Sequence, residues 1–159
     1  MITQQEVKDI FEYKDNDLYW RSARNNKIKN DRSAGLITRG YSMIGLKNKK
    51  YPKSKIIFLM HHGYIPKRIV FLDKNPHNYS IDNLAAATTS DVLCYSRKRS
   101  NNTSGYKGVS YCAAKKGWVV YIDKNKKRKY LGLFKNKEEA AKAYKEAALK
   151  LHGEFAYIE

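Results

Sequence analysis

Asp73, His77 and Asn83 share one short stretch of the chain, with His61 and His62 a little upstream. A carboxylate or an imidazole can take a proton from water, and carboxylate and carboxamide oxygens can hold a hard divalent cation. Asp73 lies two residues from Phe71, so the two share one side of an extended chain if a strand persists there. Each group also has a plainer use. His77 reads as an exposed loop residue, and His61 and His62 as packing or surface polar groups. Asn75, Asn78 and Asn83 read as side chains that fix a loop by bonding its backbone. Cys94 and Cys112 form no C-x-x-C pair. They predict small buried or half-buried thiols, with no structural zinc site and, in a reducing compartment, no disulfide.

The second kind of chemistry is electrostatic. Among 159 residues, Lys and Arg total 32 and Asp and Glu total 15, a formal net charge of +17. Residues 1–90 carry 16 basic and 8 acidic side chains, and residues 91–159 carry 16 and 7, so both halves are basic. Such density is self-repulsive without a polyanion, which makes nucleic acid the expected partner. Thirteen Tyr, five Phe and two Trp in a chain that is 42% hydrophobic argue for packed domains and against a disordered basic tail. The length suits one medium domain or two small ones. No apolar run approaches the ~20 residues of a membrane helix, and the N-terminus lacks a secretory apolar stretch, so no membrane association and a cytoplasmic location are expected. The sequons at Asn101 and Asn102 then read as loop asparagines.

These groups need elements to position them. Thr3 and Glu6 have capping-box spacing before Val7, Ile10 and Phe11, which predicts a short helix. Residues 17–21 predict a strand, 25–33 a polar loop, and 40–48 and 49–57 two strands turning near Asn48. Residues 55–62 are apolar enough for a buried helix or a strand, and periodicity does not choose. An extended run over 68–73, a polar loop, and a helix from near Ser80 or Asp82 come next. Residues 95–105, basic and poor in large aliphatics, read as a linker whose Arg97, Lys98 and Arg99 would track a phosphate backbone. Beyond it, strands are expected at 106–112, 117–123 and 128–134. A helix succeeds them with Asn136 as N-cap, an alanine-rich stripe and Gly153 as its end. The fold class is therefore α+β, ending in a three-stranded antiparallel sheet packed on one helix. The sheet's other face is left open, to carry Lys107, Trp118, Lys127, Arg128, Lys129 and Tyr130 for phosphates and stacking. Trp118 and Tyr144 also have the plain reading of core packing.

Tyr106-Lys107-Gly108-Val109, Gly117-Trp118-Val119, Tyr130-Leu131-Gly132-Leu133-Phe134, Glu138-Glu139-Ala140-Ala141 and Ala143-Tyr144 keep the spacing of a known pattern. On these residues, 106–159 resembles the ethylene-response-factor (Apetala-type) DNA-binding domain. The resemblance implies a sheet laid in the major groove of duplex DNA. The chain departs from that pattern: Lys107, Ser110 and Cys112 stand where first-strand arginines are usual, and Asp123 where an arginine ends the second strand. Arg128 is retained. Bidentate Arg–guanine contacts discriminate by roughly 1–3 kcal/mol each, so most base reading of that kind is expected to be lost while phosphate binding survives.

Leu18-Tyr19-Trp20, Gly40-Tyr41, His61 to Pro66, and Asn75-Pro76 through Ile81-Asp82-Asn83-Leu84 make residues 1–94 resemble phage HNH homing endonucleases, whose catalytic unit is a ββα module gripping one divalent metal. Aligned on that unit, the metal-binding Asp falls on Val70, the general-base His on Phe71 and a second metal-side Asn on Val92, while Asn83 is kept. A family His-Arg pair falls on Ser54-Lys55. A phenyl ring cannot take a proton and valine cannot ligate a hard cation; losing the base alone costs on the order of 10²–10⁴ in rate. The three apolar replacements would pack together as a small core. The resemblance thus implies a nuclease scaffold without its catalytic centre, with no metal and no cofactor, that grips double-stranded DNA in the nucleoid of a bacterial host cell. The rival from the enzyme class is a Mg²⁺- or Mn²⁺-dependent nicking endonuclease with a rearranged centre at Asp73, His77 and Asn83. A further rival is a phage inhibitor or interaction protein that binds RNA or a nucleoprotein complex.

Overall fold

A computed structural model of the chain describes residues 2–21, 33–38 and 40–157. The chain divides into two compact units, residues 1–87 and 88–159, both mixing helices with small antiparallel sheets. Most of the polar loop expected over 25–33 lies outside the described residues. Among the described residues no helix is long and apolar enough to cross a membrane.

The first unit begins with α1 (Gln4–Ile10), and its capping box is reciprocal. Thr3 Oγ1 accepts from the Glu6 amide, and the Glu6 carboxylate accepts from the Thr3 amide at 3.0 Å. A hairpin comes next, of β1 (Phe11–Lys14) and β2 (Asp17–Trp20), turning through Asp15 and Asn16, both in the left-handed region that twisted two-residue hairpins demand. A three-stranded sheet holds β3 (Leu36–Thr38), β4 (Tyr41–Leu46) and β5 (Lys49–Pro52) in that order, with its second turn at Lys47-Asn48 as expected. The strand expected through residue 57 stops at Pro52, and α2 (Lys53–His62) takes over. Ile56, Ile57, Phe58, Leu59 and Met60 are all buried, so α2 is apolar on most sides and carries little helical period. With Val7, Phe11, Leu18, Ile44 and Leu46 they form the core. Lys53 is 3% exposed and bonds Asp17 Oδ1 at 2.6 Å, a paired charge within that core.

β6 (Arg68–Phe71) pairs with β7 (Leu84–Ala87), Phe71 opposite Leu84 and Arg68 opposite Ala87. Here the expected helix from Ser80 or Asp82 is corrected: only a short 3₁₀ turn (Ile81–Asn83) forms before β7. Leu-Ala-Ala-Ala favours helix locally, but here it forms an antiparallel ladder with β6, and tertiary context overrides propensity.

The second unit opens with α3 (Thr89–Tyr95), started by a capping box between Thr88 and Asp91. The expected boundary at 95–105 is therefore displaced, because α3 belongs to the C-terminal unit. Cys94 Sγ bonds Asp123 O at 3.6 Å. The stretch expected to be a linker is folded: Ser104, 2% exposed, bonds Asn102 Oδ1 at 3.0 Å and Tyr106 O at 2.9 Å, while Asn102 Nδ2 donates to Tyr106 O. β8 (Val109–Cys112), β9 (Gly117–Lys124) and β10 (Lys127–Phe134) form an antiparallel sheet in the order β10-β9-β8. α4 (Lys137–His152) lays Ala140, Tyr144 and Ala148 on Val109, Val120 and Ile122. The small alanines permit close helix–sheet approach. The first strand starts three residues later than expected because Gly108 (φ +72°) turns the chain; a Cβ there would lie 2.3 Å from the Tyr144 ring. Cys94 is buried and Cys112 half-buried, both free thiols.

Candidate functional site

Register decides what the sheet offers. Cross-strand partners share a face, so Val109, Tyr111, Trp118, Val120, Ile122 and Phe134 lie on the α4 side, and Ser110, Val119, Tyr121, Asp123, Arg128, Tyr130 and Leu133 on the open side. A bulge between Tyr130 and Gly132 leaves Leu131 unpaired and lets Tyr130 and Leu133, three residues apart, share the open face. Of the six sheet residues expected there, Arg128 and Tyr130 arrive. Trp118 is corrected to the α4 side, partly buried against the core, with an edge contact to Tyr111 at 5.3 Å. Lys127 and Lys129 pair with Lys124 and Ile122, on the parity of the α4 side.

Lys107 is displaced further, since it precedes β8. Its Nζ donates to the carbonyls of Leu93 (3.0 Å), Cys94 (2.6 Å) and Ser96 (2.7 Å), closing the C-terminal end of α3. Burial lowers its pKa. Lys98 Nζ is engaged by Gly105 O at 2.7 Å, whereas Arg97 and Arg99 are exposed.

At the heart of the open face, Arg128 donates Nε and one terminal nitrogen to the two oxygens of Asp123 at 2.8 and 2.9 Å. That bidentate contact holds the Asp123 carboxyl below the usual carboxylate range. The guanidinium carbon lies 5.6 Å from the Tyr121 ring centroid, and Tyr121 contacts Tyr130 at 5.4 Å. Lys115 reaches over Tyr130 at 5.7 Å. Tyr121, Val119 and Leu133 were not expected on this face. Residues 118–122 are apolar on both parities, so alternation in the sequence does not reveal which side is covered, and a bulge leaves no compositional mark.

The loop between β6 and β7 is built on Asp73. Its Oδ1 accepts from the Asn75 amide (2.8 Å) and Asn83 Nδ2 (2.9 Å), and its Oδ2 from Asn78 Nδ2 (2.7 Å). Asn83 Oδ1 accepts from the Asp73 amide, and Asn83 Nδ2 also reaches Asn78 O. Desolvation pushes the Asp73 pKa up, but the donors from Asn78, Asn75 and Asn83 outweigh it and the net shift is downward. The structure thus brings Asp73 and Asn83 together. His77 is exposed, and only its amide joins the loop, donating to Asn75 Oδ1 at 3.1 Å. Phe71 packs on the first unit's core with an edge contact to Tyr79 at 5.9 Å. The expectation that Val70 and Phe71 pack together in one small core is corrected: Val70 is buried on the opposite strand parity from Phe71; Val92 lies on α3. Among the described residues, no three His, Cys, Asp or Glu side chains gather where they could hold a metal ion.

Two family models match the chain: AP2 domain over residues 104–154, and HNH endonuclease over residues 51–93. No curated protein and no solved structure matches it. The chain therefore carries an AP2 DNA-binding domain behind an HNH endonuclease-like segment.

Proposed function

We propose that this DNA-binding, nuclease-related chain grips duplex DNA with the open face of β8–β9–β10 and does not cut it at the β6–β7 loop. The reading rests above all on α4 covering one face of the sheet while Tyr130 and Leu133 stand exposed on the other, in a domain of AP2 type that is strongly basic. Loss of cleavage is supported by Phe71 and Val70 at the positions of base and metal ligand, and by an Asp73 carboxylate that already accepts three hydrogen bonds from its own loop. The rival, a metal-dependent nicking enzyme using Asp73, His77 and Asn83, draws its support from the 2.9 Å contact between Asp73 and Asn83.

Duplex binding and supercoiled-plasmid nicking, run in parallel at two salt concentrations with and without Mg²⁺ or Mn²⁺, separate the two. The expected outcome is binding that weakens by ~10³–10⁵ between 50 and 200 mM salt for six to ten phosphate contacts, with plasmid intact throughout. A flat salt dependence counts against the grip. Nicking that His77→Ala abolishes establishes the rival.

A further inference from the structure

Resting on the duplex-binding reading above, we propose that the open sheet face favours thymine-containing base pairs by packing Leu133 against the thymine C5 methyl group. Leu133 is 44% exposed on that face, directly opposite Val119 in the β9–β10 register. Its side chain leans across the ladder over Gly117: a Cβ built there would lie 2.9 Å from Leu133 Cδ1 and 3.0 Å from Phe134 O. The absence of a side chain at Gly117 is what seats the leucine, so it stands as a fixed aliphatic ridge beside Tyr130.

The polar groups around this ridge select weakly. Ser110, Tyr121 and Tyr130 carry hydroxyls that both donate and accept, so they suit any base edge. The Arg128 fork, the group suited to guanine O6 and N7, is occupied by Asp123. In the major groove the apolar feature of a base pair is the thymine methyl. A leucine pressed on a G·C edge strips water from O6, N7 and N4 and gives nothing back, whereas against thymine it buries a methyl. The surrounding charge argues for DNA as the occupant: Lys115, Lys116 and Lys126 lie on the turns at either end of β9.

The test compares the full chain on a short alternating A·T duplex, the same duplex with uracil replacing thymine, an alternating G·C duplex, and that duplex with 5-methylcytosine. Burial of a methyl contributes about 0.8 kcal/mol, so uracil should weaken binding about fourfold per methyl contacted, and 5-methylcytosine should recover part of it. Leu133→Ala, checked for folding by its melting transition, should erase both differences, binding thymine and uracil duplexes alike and cytosine and 5-methylcytosine duplexes alike. Leu133→Met should preserve them. Equal affinity of the wild-type chain for thymine and uracil duplexes, both bound, overturns this inference and leaves the duplex-binding reading intact. Absence of binding to every duplex at low salt overturns both. The wild-type comparison decides even if Leu133→Ala fails to fold.

Discussion

Arg128 and Asp123 face each other across the β9–β10 ladder, joined by two parallel N–H···O bonds of 2.8 and 2.9 Å on the open side of the sheet. Both side chains are more than half exposed, so little of the fold's stability rests on the pair. On the proposed duplex-binding reading its consequence would be functional: the arginine retained on this face would meet a phosphate with its charge already answered by Asp123.

Asp123→Asn should therefore tighten duplex binding at low salt. The plot of log affinity against log salt should steepen by about one unit, as expected when one more phosphate is neutralised. The gain should vanish at high salt. Unchanged affinity and slope would show that the open face does not lie against DNA.

How far the sequence announced this arrangement depends on the kind of signal. Thr3 with Glu6 and the alanine stripe of α4 are local patterns, and both elements form where expected. Leu84–Ala87 fails as a helix because its partner strand lies more than a dozen residues away in sequence. α2 stayed ambiguous because a helix buried on most sides has no polar face to set a period. The open face was the hardest to read. Trp118 and Val119 are equally apolar, and only register and the bulge at Leu131 decide that the tryptophan packs inward. Asp73 and Asn83 were legible as a pair, but whether they serve a ligand or each other is a matter of hydrogen-bond geometry.

Lys107 supplies a second contrast. As a phosphate contact, its loss would lower the salt slope by about one unit. As the donor that closes the end of α3, its replacement in Lys107→Met should cost about 1–3 kcal/mol of stability and leave the slope unchanged, measured on protein shown to be folded. Denaturant melts and salt-dependent binding on the same preparation tell the two apart.

In the β6–β7 loop, Asn83→Ala removes the carboxamide that ties Asp73 to Asn78. Leaving those polar groups short of partners should destabilise the chain by about 1–3 kcal/mol. Plasmid should remain uncut in Mg²⁺ or Mn²⁺ for both proteins. A variant of wild-type stability would show that the network is not what holds this loop.

Gly108 is the point where the chain passes beneath Tyr144. An added Cβ would lie 2.3 Å from that ring and 2.5 Å from Tyr121 O, in a left-handed conformation that itself disfavours any side chain. Gly108→Ala should cost about 2–5 kcal/mol, combining the backbone penalty with overpacking. A thermal melt within a few degrees of wild type would mean that α4 can lift off the sheet without loss.

His152, buried at the end of α4, makes the second unit sensitive to mild acid. Desolvation, then the charges of Lys124 and Lys107, lower its pKa, with Asp91 opposing them. In the unfolded chain the imidazole takes up its proton near pH 6.5, and in the folded chain only at lower pH. Between those values the unfolded state holds more protons, so stability rises with pH, is fully present above about pH 6.5, and declines as pH falls through the folded pKa. The carboxylates with lowered pKa, Asp91 and Asp73 among them, act only below about pH 4 and leave this window clear. Urea melts between pH 7 and pH 5 should show falling stability for the wild type and a flatter profile for His152→Gln. Parallel profiles would mean that the imidazole gains its proton as readily in the folded chain as in the unfolded one.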